Sequence, residues 1–296
     1  MIYEDIAANK AKSWLLIAVF FALIGALSYA FSIILFGAYY AMVFALILAA
    51  FMALLSYFAG DSVVLAMSQA KLAPRKRYSH LINTVEGLAI AAGIPAPKVY
   101  VIEDSAMNAF ATGRAPGKAS IAVTTGLLEK LNRTELEGVI GHEMSHIKNY
   151  DIRMMLLVAI LVSATVLLSD MLLRSLRYGG GRRDSKGSGY FYLIVLVTGV
   201  VLALLSPIIA QLIQLAVSRQ REYLADANGA LLTRYPEGLA NALSKISKDK
   251  EVLEAANKAT AHLYIVNPLR NLRGFVNNMF STHPPIEERI KRLEAM

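Results

Sequence analysis

Four long apolar runs divide this chain into membrane-type and globular-type stretches. Residues 14–36 and 38–59 are nearly uncharged, and each matches the ~20 residues a helix needs to cross a bilayer. Gly37 alone separates them, which predicts a tight helical hairpin with Trp14, Tyr39, Tyr40 and Tyr57 as interface anchors. Residues 154–173 form a third run. Residues 190–217 form a fourth, broken by Pro207 and carrying Gln211 and Gln214 near its end. The connection 174–189 is basic and Gly-rich, with Arg174, Arg177, Arg182, Arg183 and Lys186, and reads as a flexible loop.

The remaining stretches are amphipathic. Residues 78–92 repeat Leu81, Ile82, Val85, Leu88 and Ala89 at helical spacing before Gly93 and Pro95 end the pattern. Residues 98–102 predict a strand, as do 109–112 and 120–124, which are joined across a Pro-Gly turn at Pro116 and Gly117. Leu136, Val139, Ile140 and Ile147 predict a further helix, with Thr134 and Glu137 as its capping box. From 218 onward the chain is polar and helical, without an internal repeat. The predicted fold is an integral membrane, mainly α protein with four transmembrane helices and an α+β domain containing a small β-sheet. Its organisation is a tail and hairpin over 1–59, a first globular part over 60–153, two spans over 154–217, and a second globular part over 218–296.

Composition supports the membrane class: the 296 residues are 56% hydrophobic, and the mean hydropathy is +0.47. The net charge of +8 sits at the ends of apolar segments, notably Lys71, Arg75, Lys76 and Arg77. Anionic lipid headgroups suit that placement. Nucleic acid is excluded, because no basic helix, RNA-binding signature or zinc-finger pattern is present. With no cysteine, disulfides are impossible and any metal must be held by nitrogen and oxygen. The first apolar run exceeds a signal-peptide core and leads directly into the second, so it reads as a retained anchor.

The chemistry concentrates in Gly141-His142-Glu143-Met144-Ser145-His146, an H-E-x-x-H pattern within the predicted helix. Residues four apart share a helix face, so His142 and His146 can reach one ion. Glu143 falls in the apolar stripe beside Val139, Ile140 and Ile147, a costly place for a carboxylate without a task. Two imidazoles with an adjacent carboxylate suit one Zn2+ and a water whose proton Glu143 takes.

A catalytic zinc usually has a third protein ligand. No H-x-x-G-x-x-H extension follows His146, so downstream glutamates and His80, His262 and His283 are the candidates; His80 and His262 read as surface residues. Glu222 and Asp226 lie one turn apart, flanked by Ala225 and Gly229, while the motif helix carries Gly138, Gly141 and Ser145. Such small residues let two helices approach. The pairing could bring Glu222 to the metal and Asp226 to the other nitrogen of a ligating histidine.

Two N-terminal spans, N-A-F-A-T-G at 108–113, G-H-E-M-S-H-I-K-N-Y-D, two further apolar runs, S-R-Q-R-E-Y-L-A-D and a terminal F-S-T-H-P-P-I-E-E-R-I-K-R-L together resemble the HtpX family of membrane zinc endopeptidases over nearly the whole chain. The resemblance implies His142, His146 and Glu222 as zinc ligands and Glu143 as the catalytic glutamate. It also implies a zincin-like protease domain with its active site facing the cytoplasm. The implied localisation is a multi-pass cell membrane protein, and the implied role is clearing misfolded or damaged membrane proteins.

An even number of crossings between His146 and Glu222 suits that topology, although it turns the basic loop 174–189 outward against the positive-inside tendency. Because the terminal motif of the related prenyl-protein proteases also holds a histidine, the resemblance implies His283 as the oxyanion donor. Unfolded polypeptide substrates are expected to add as a strand to an exposed sheet edge formed by Ser120, Ile121, Ala122, Val123 and Thr124, with Asn108, Ala109 and Phe110 lining the cleft. The alternatives are a membrane metal transporter and a non-catalytic quality-control scaffold.

Overall fold

The computed structural model describes residues 58–160, 218–256, 260–268 and 284–296, with scattered positions in the apolar runs. Apart from those positions, the runs 14–36 and 190–217, the loop 174–189, His283 and most of 38–59 and 154–173 lie outside the described residues. Among the described residues, no helix is long and apolar enough to cross a membrane.

Helix α1 spans Ser79–Ala92 and buries Leu81, Val85, Ala89 and Ala92, the stripe its spacing predicts. Gly93 ends it at φ 70°, with its N–H donating to the Ala89 and Ile90 carbonyls. Four strands follow the order β1-β2-β4-β3: β1 is Lys71–Leu72, β2 Lys98–Ile102, β3 Ala109–Gly113 and β4 Ala119–Thr124. β2 runs parallel to β4, and β1 and β3 run antiparallel to their neighbours. Both faces of the sheet are covered. Val99, Val101, Ala109, Ala111, Ile121 and Val123 pack into one core with Val139, Ile140 and Met144. Ile102, Phe110 and Ala122 pack into another with Met155, Leu156 and Tyr264.

This order corrects one expectation. β4, which holds Ser120, Ile121, Ala122, Val123 and Thr124, is bonded on both sides and is not an edge. A strand between two ladders has no backbone groups left for an added peptide. Among the described residues β3 is bonded to a neighbouring strand on one side only, so it, and not β4, is an edge of the sheet.

The Thr124 hydroxyl accepts from Leu127 N–H to start the short helix α2, Thr125–Lys130. Helix α3, Arg133–Lys148, is the hub of the domain. Its capping box is Asn132 with Glu135, not Thr134 with Glu137. Asn132 holds extended backbone and its side chain accepts from Glu135 N–H at 2.9 Å, so the helix starts early and places Thr134 inside the first turn. Glu137 pairs with Arg133 instead, at 2.8 Å.

Helices α4 (Arg219–Thr233), α5 (Pro236–Lys248) and α6 (Ile286–Glu294) complete the domain. α4 lies against α3 at a crossing that requires glycine: a Cβ on Gly229 would meet the His142 backbone nitrogen at 2.8 Å. Gly229→Ala is therefore expected to destabilise the fold by about 1–3 kcal/mol and to push the Glu222 helix outward. Gly87→Ala, on α1 with nothing within 4 Å, is expected to stabilise by about 0.5–1 kcal/mol. Urea unfolding of the two variants checks both signs.

Candidate metal centre

α3 carries His142, Glu143 and His146 into the interior, 1%, 2% and 4% exposed. α4 crosses opposite them and contributes Glu222 and Asp226, also buried. The His142 and His146 Nε2 atoms lie 3.1 Å apart. A Glu222 oxygen is 3.8 Å from the former, and its other oxygen is 3.5 Å from the latter. Tetrahedral ligands about 2.0–2.2 Å from a zinc ion lie about 3.3–3.6 Å from one another. The trio fits such an ion, and it is a group that can hold a metal among the described residues.

Each imidazole is fixed from behind. His142 Nδ1 lies 2.9 Å from Asp226 Oδ1, and His146 Nδ1 lies 3.0 Å from Asp151 Oδ2. An ionised carboxylate only accepts, so both Nδ1 atoms carry hydrogen and both Nε2 atoms face the common centre. Burial pushes His142 below its ordinary pKa and keeps it neutral. Burial also pushes His146 down, but the Asp151 hydrogen bond and the charges of Glu222, Asp151 and Glu143 outweigh it and raise the group to about 9. A site that draws a proton this strongly draws a metal cation by the same field.

Glu143 stands beside the trio without joining it. Burial raises its carboxyl to about 7, opposed by the His146 charge and by a hydrogen bond from the Ala111 backbone N–H.

Residues 75–296 match the family model of Peptidase family M48. This chain belongs to peptidase family M48. A Protease HtpX homolog of Dictyoglomus thermophilum is 47% identical over 294 residues, covering 99% of this chain and 94% of the relative. A Protease HtpX homolog of Tropheryma whipplei is 48% identical over 299 residues, covering 100% and 99%. The crystal structure of S. mikatae Ste24p shares the fold, with a TM-score of 0.53 at 19% identity; the match covers 99% of this chain and 66% of that one. The M48 peptidase is therefore a metalloprotease, and its sheet-and-helix domain carries a His-His-Glu group that could hold a metal ion.

Three contributors to this M48 site escape sequence reasoning. Arg289 of α6 is fully buried; Nε and Nη2 clasp the two Asp226 oxygens at 2.8 and 2.7 Å, and Nη1 lies 3.5 Å from Glu222. That fork outweighs the cost of burying Asp226 and holds its carboxyl at about 2. Asp151 fixes His146, with Arg221 3.7 Å away. A signal for Arg289 existed. It lies on the apolar stripe of α6 with Ile286, Ile290 and Leu293, the same anomaly that singles out Glu143.

The other two described histidines, His80 and His262, are not part of the trio. His80 is exposed and bonded to Thr84. His262, expected at the surface, is 1% exposed, because its segment is packed under the sheet; its Nε2 lies 3.0 Å from the Met155 carbonyl oxygen.

Proposed function

We propose that this M48 metalloprotease is a zinc-dependent endopeptidase of the cell membrane that cleaves misfolded or damaged membrane proteins. The observation that carries the reading is the convergence of two back-bonded imidazoles and Glu222, with Glu143 alongside. His142, His146 and Glu222 hold the ion. The two-nitrogen, one-oxygen donor set without sulfur favours zinc. Zinc, when bound, supplies a Lewis acid for the scissile carbonyl and a water acidic enough to ionise near neutrality. Glu143, with its carboxyl raised to about 7, takes the water's proton and delivers it to the leaving amine. His283, placed in the site by resemblance alone, donates to the oxyanion.

The four apolar runs are read as spans, with the metal centre on the cytoplasmic side. A protease of many unfolded chains cannot depend on side-chain fit, so it grips backbone. The β3 edge, with Ala111 facing Glu143, is the strand a peptide joins.

Casein cleavage in detergent tests the reading. Activity should vanish with chelator and return with stoichiometric zinc. Glu222→Ala should lose zinc and activity together, measured by metal analysis of the purified protein. If Glu222→Ala retains full zinc, the third ligand is misassigned. Metal binding without cleavage by the wild type would favour transport or scaffolding.

A further inference from the structure

We infer that residues 264–266 wall off one end of the β3 edge, so that a substrate strand is held on one side of the cleavage centre alone. The inference rests on the edge-grip reading above and adds where the grip stops. Thr124 N–H donates to the Asn108 carbonyl at 3.0 Å, which sets the phase of the antiparallel ladder. Asn108, Phe110 and Thr112 then bond to β4, while the backbone groups of Ala109, Ala111 and Gly113 face outward.

The three outward residues are not equivalent. Ala111 N–H reaches Glu143 and so marks the cleavage centre. On one side of it, the Ala109 carbonyl already accepts from Ile265 N–H at 3.0 Å. Just beyond, the Asn108 side chain donates to the Val266 carbonyl at 2.9 Å and accepts from Val266 N–H at 3.5 Å. The Ile265 carbonyl accepts from Arg289 Nη1 at 3.1 Å, and the Tyr264 ring packs edge-on against Phe110 at 5.0 Å.

The segment is thus bonded to β3 on one flank and to α6 on the other, with Ile265 2% and Val266 5% exposed. A segment buried among core side chains, with its carbonyl held by the arginine that clasps Asp226, cannot leave without opening the metal site. It is a fixed wall. On the other side of the centre, Gly113 continues the edge. For a strand added antiparallel to β3, the held residues are those N-terminal to the scissile bond. Residues C-terminal to it meet the wall and turn away.

The test uses the zinc-loaded full-length enzyme and fluorogenic peptides sharing one scissile pair, lengthened stepwise on one side or the other. Lengthening the N-terminal side should raise kcat/KM by about tenfold over the first few residues, since each backbone hydrogen bond contributes about 1 kcal/mol. Lengthening the C-terminal side should change it by less than about twofold, because no further strand bond forms there. Equal gains on both sides would mean that the segment yields to substrate, and would overturn the inference. Cleavage without length dependence on either side would instead remove the edge-grip reading beneath it. A second measurement is independent of turnover. With the longest peptide bound to the Glu143→Gln protein, hydrogen exchange over residues 260–268 should stay as slow as in the free protein; loss of protection there would also sink the wall.

Discussion

Glu143→Gln should abolish proteolysis while the protein keeps its metal. Glutamine matches glutamate in shape and its carbonyl oxygen can still accept from Ala111 N–H, so the edge contact survives. It cannot take a proton from water. Loss of a positioned general base costs about 10²–10⁴-fold in rate, and a residue that must also protonate the leaving amine belongs at the upper end. His142, His146 and Glu222 are untouched, so metal analysis should read the same as wild type. Stability should not fall. The native carboxylate is fully buried and costly to ionise, a cost the neutral amide does not carry. Chelator-sensitive cleavage near the wild-type rate would remove Glu143 from the mechanism. Loss of metal would make it a ligand instead.

Arg289→Met should be strongly destabilising, although Arg289 lies outside the metal-site trio. Methionine fills much of the same volume but leaves Asp226 and Glu222 as buried acids without their cation. Removing one partner of a buried ion pair costs about 3–5 kcal/mol. Two influences on the metal then compete. Loss of a nearby positive charge favours a divalent cation, whereas an unclasped Asp226 no longer holds His142 Nδ1. Losing such an outer partner typically weakens metal binding by about 10–100-fold, and we expect this effect to win, because Asp226 itself becomes easier to protonate. Arg289→Lys separates charge from geometry. An ammonium restores the charge but cannot clasp both Asp226 oxygens and the Ile265 carbonyl together, so rescue should be small. Unfolding of the metal-free protein and chelator competition read the two effects separately. Tighter zinc in Arg289→Met would show that the arginine acts by charge alone.

Local periodicity determined much of what this chain is. The four-residue spacing of His142 and His146, the Glu143 anomaly on an apolar stripe, the end of α1 at Gly93, the extent of β2 and the places of β3 and β4, though not their last residue Gly113 and first residue Ala119, all follow from neighbours within a turn or a strand. The small residues at Gly141, Ala225 and Gly229 also announced the close approach of α3 and α4, because backbone contact there leaves no room for a Cβ on Gly229, whereas Gly138 makes room for Leu239 of α5.

The tertiary structure alone decided which strand lies at the edge. A buried strand flanked on both faces shows the same uniform apolar pattern whether it is central or lateral, so nothing in Ser120 or Val123 tells that β2 takes the place beside them. It alone brought Arg289 to Asp226 across 63 positions and His262 beneath the sheet against Met155 across 107. Pairings at that separation are set by how whole elements pack, and a polar side chain carries no local trace of the distant partner that makes its burial tolerable.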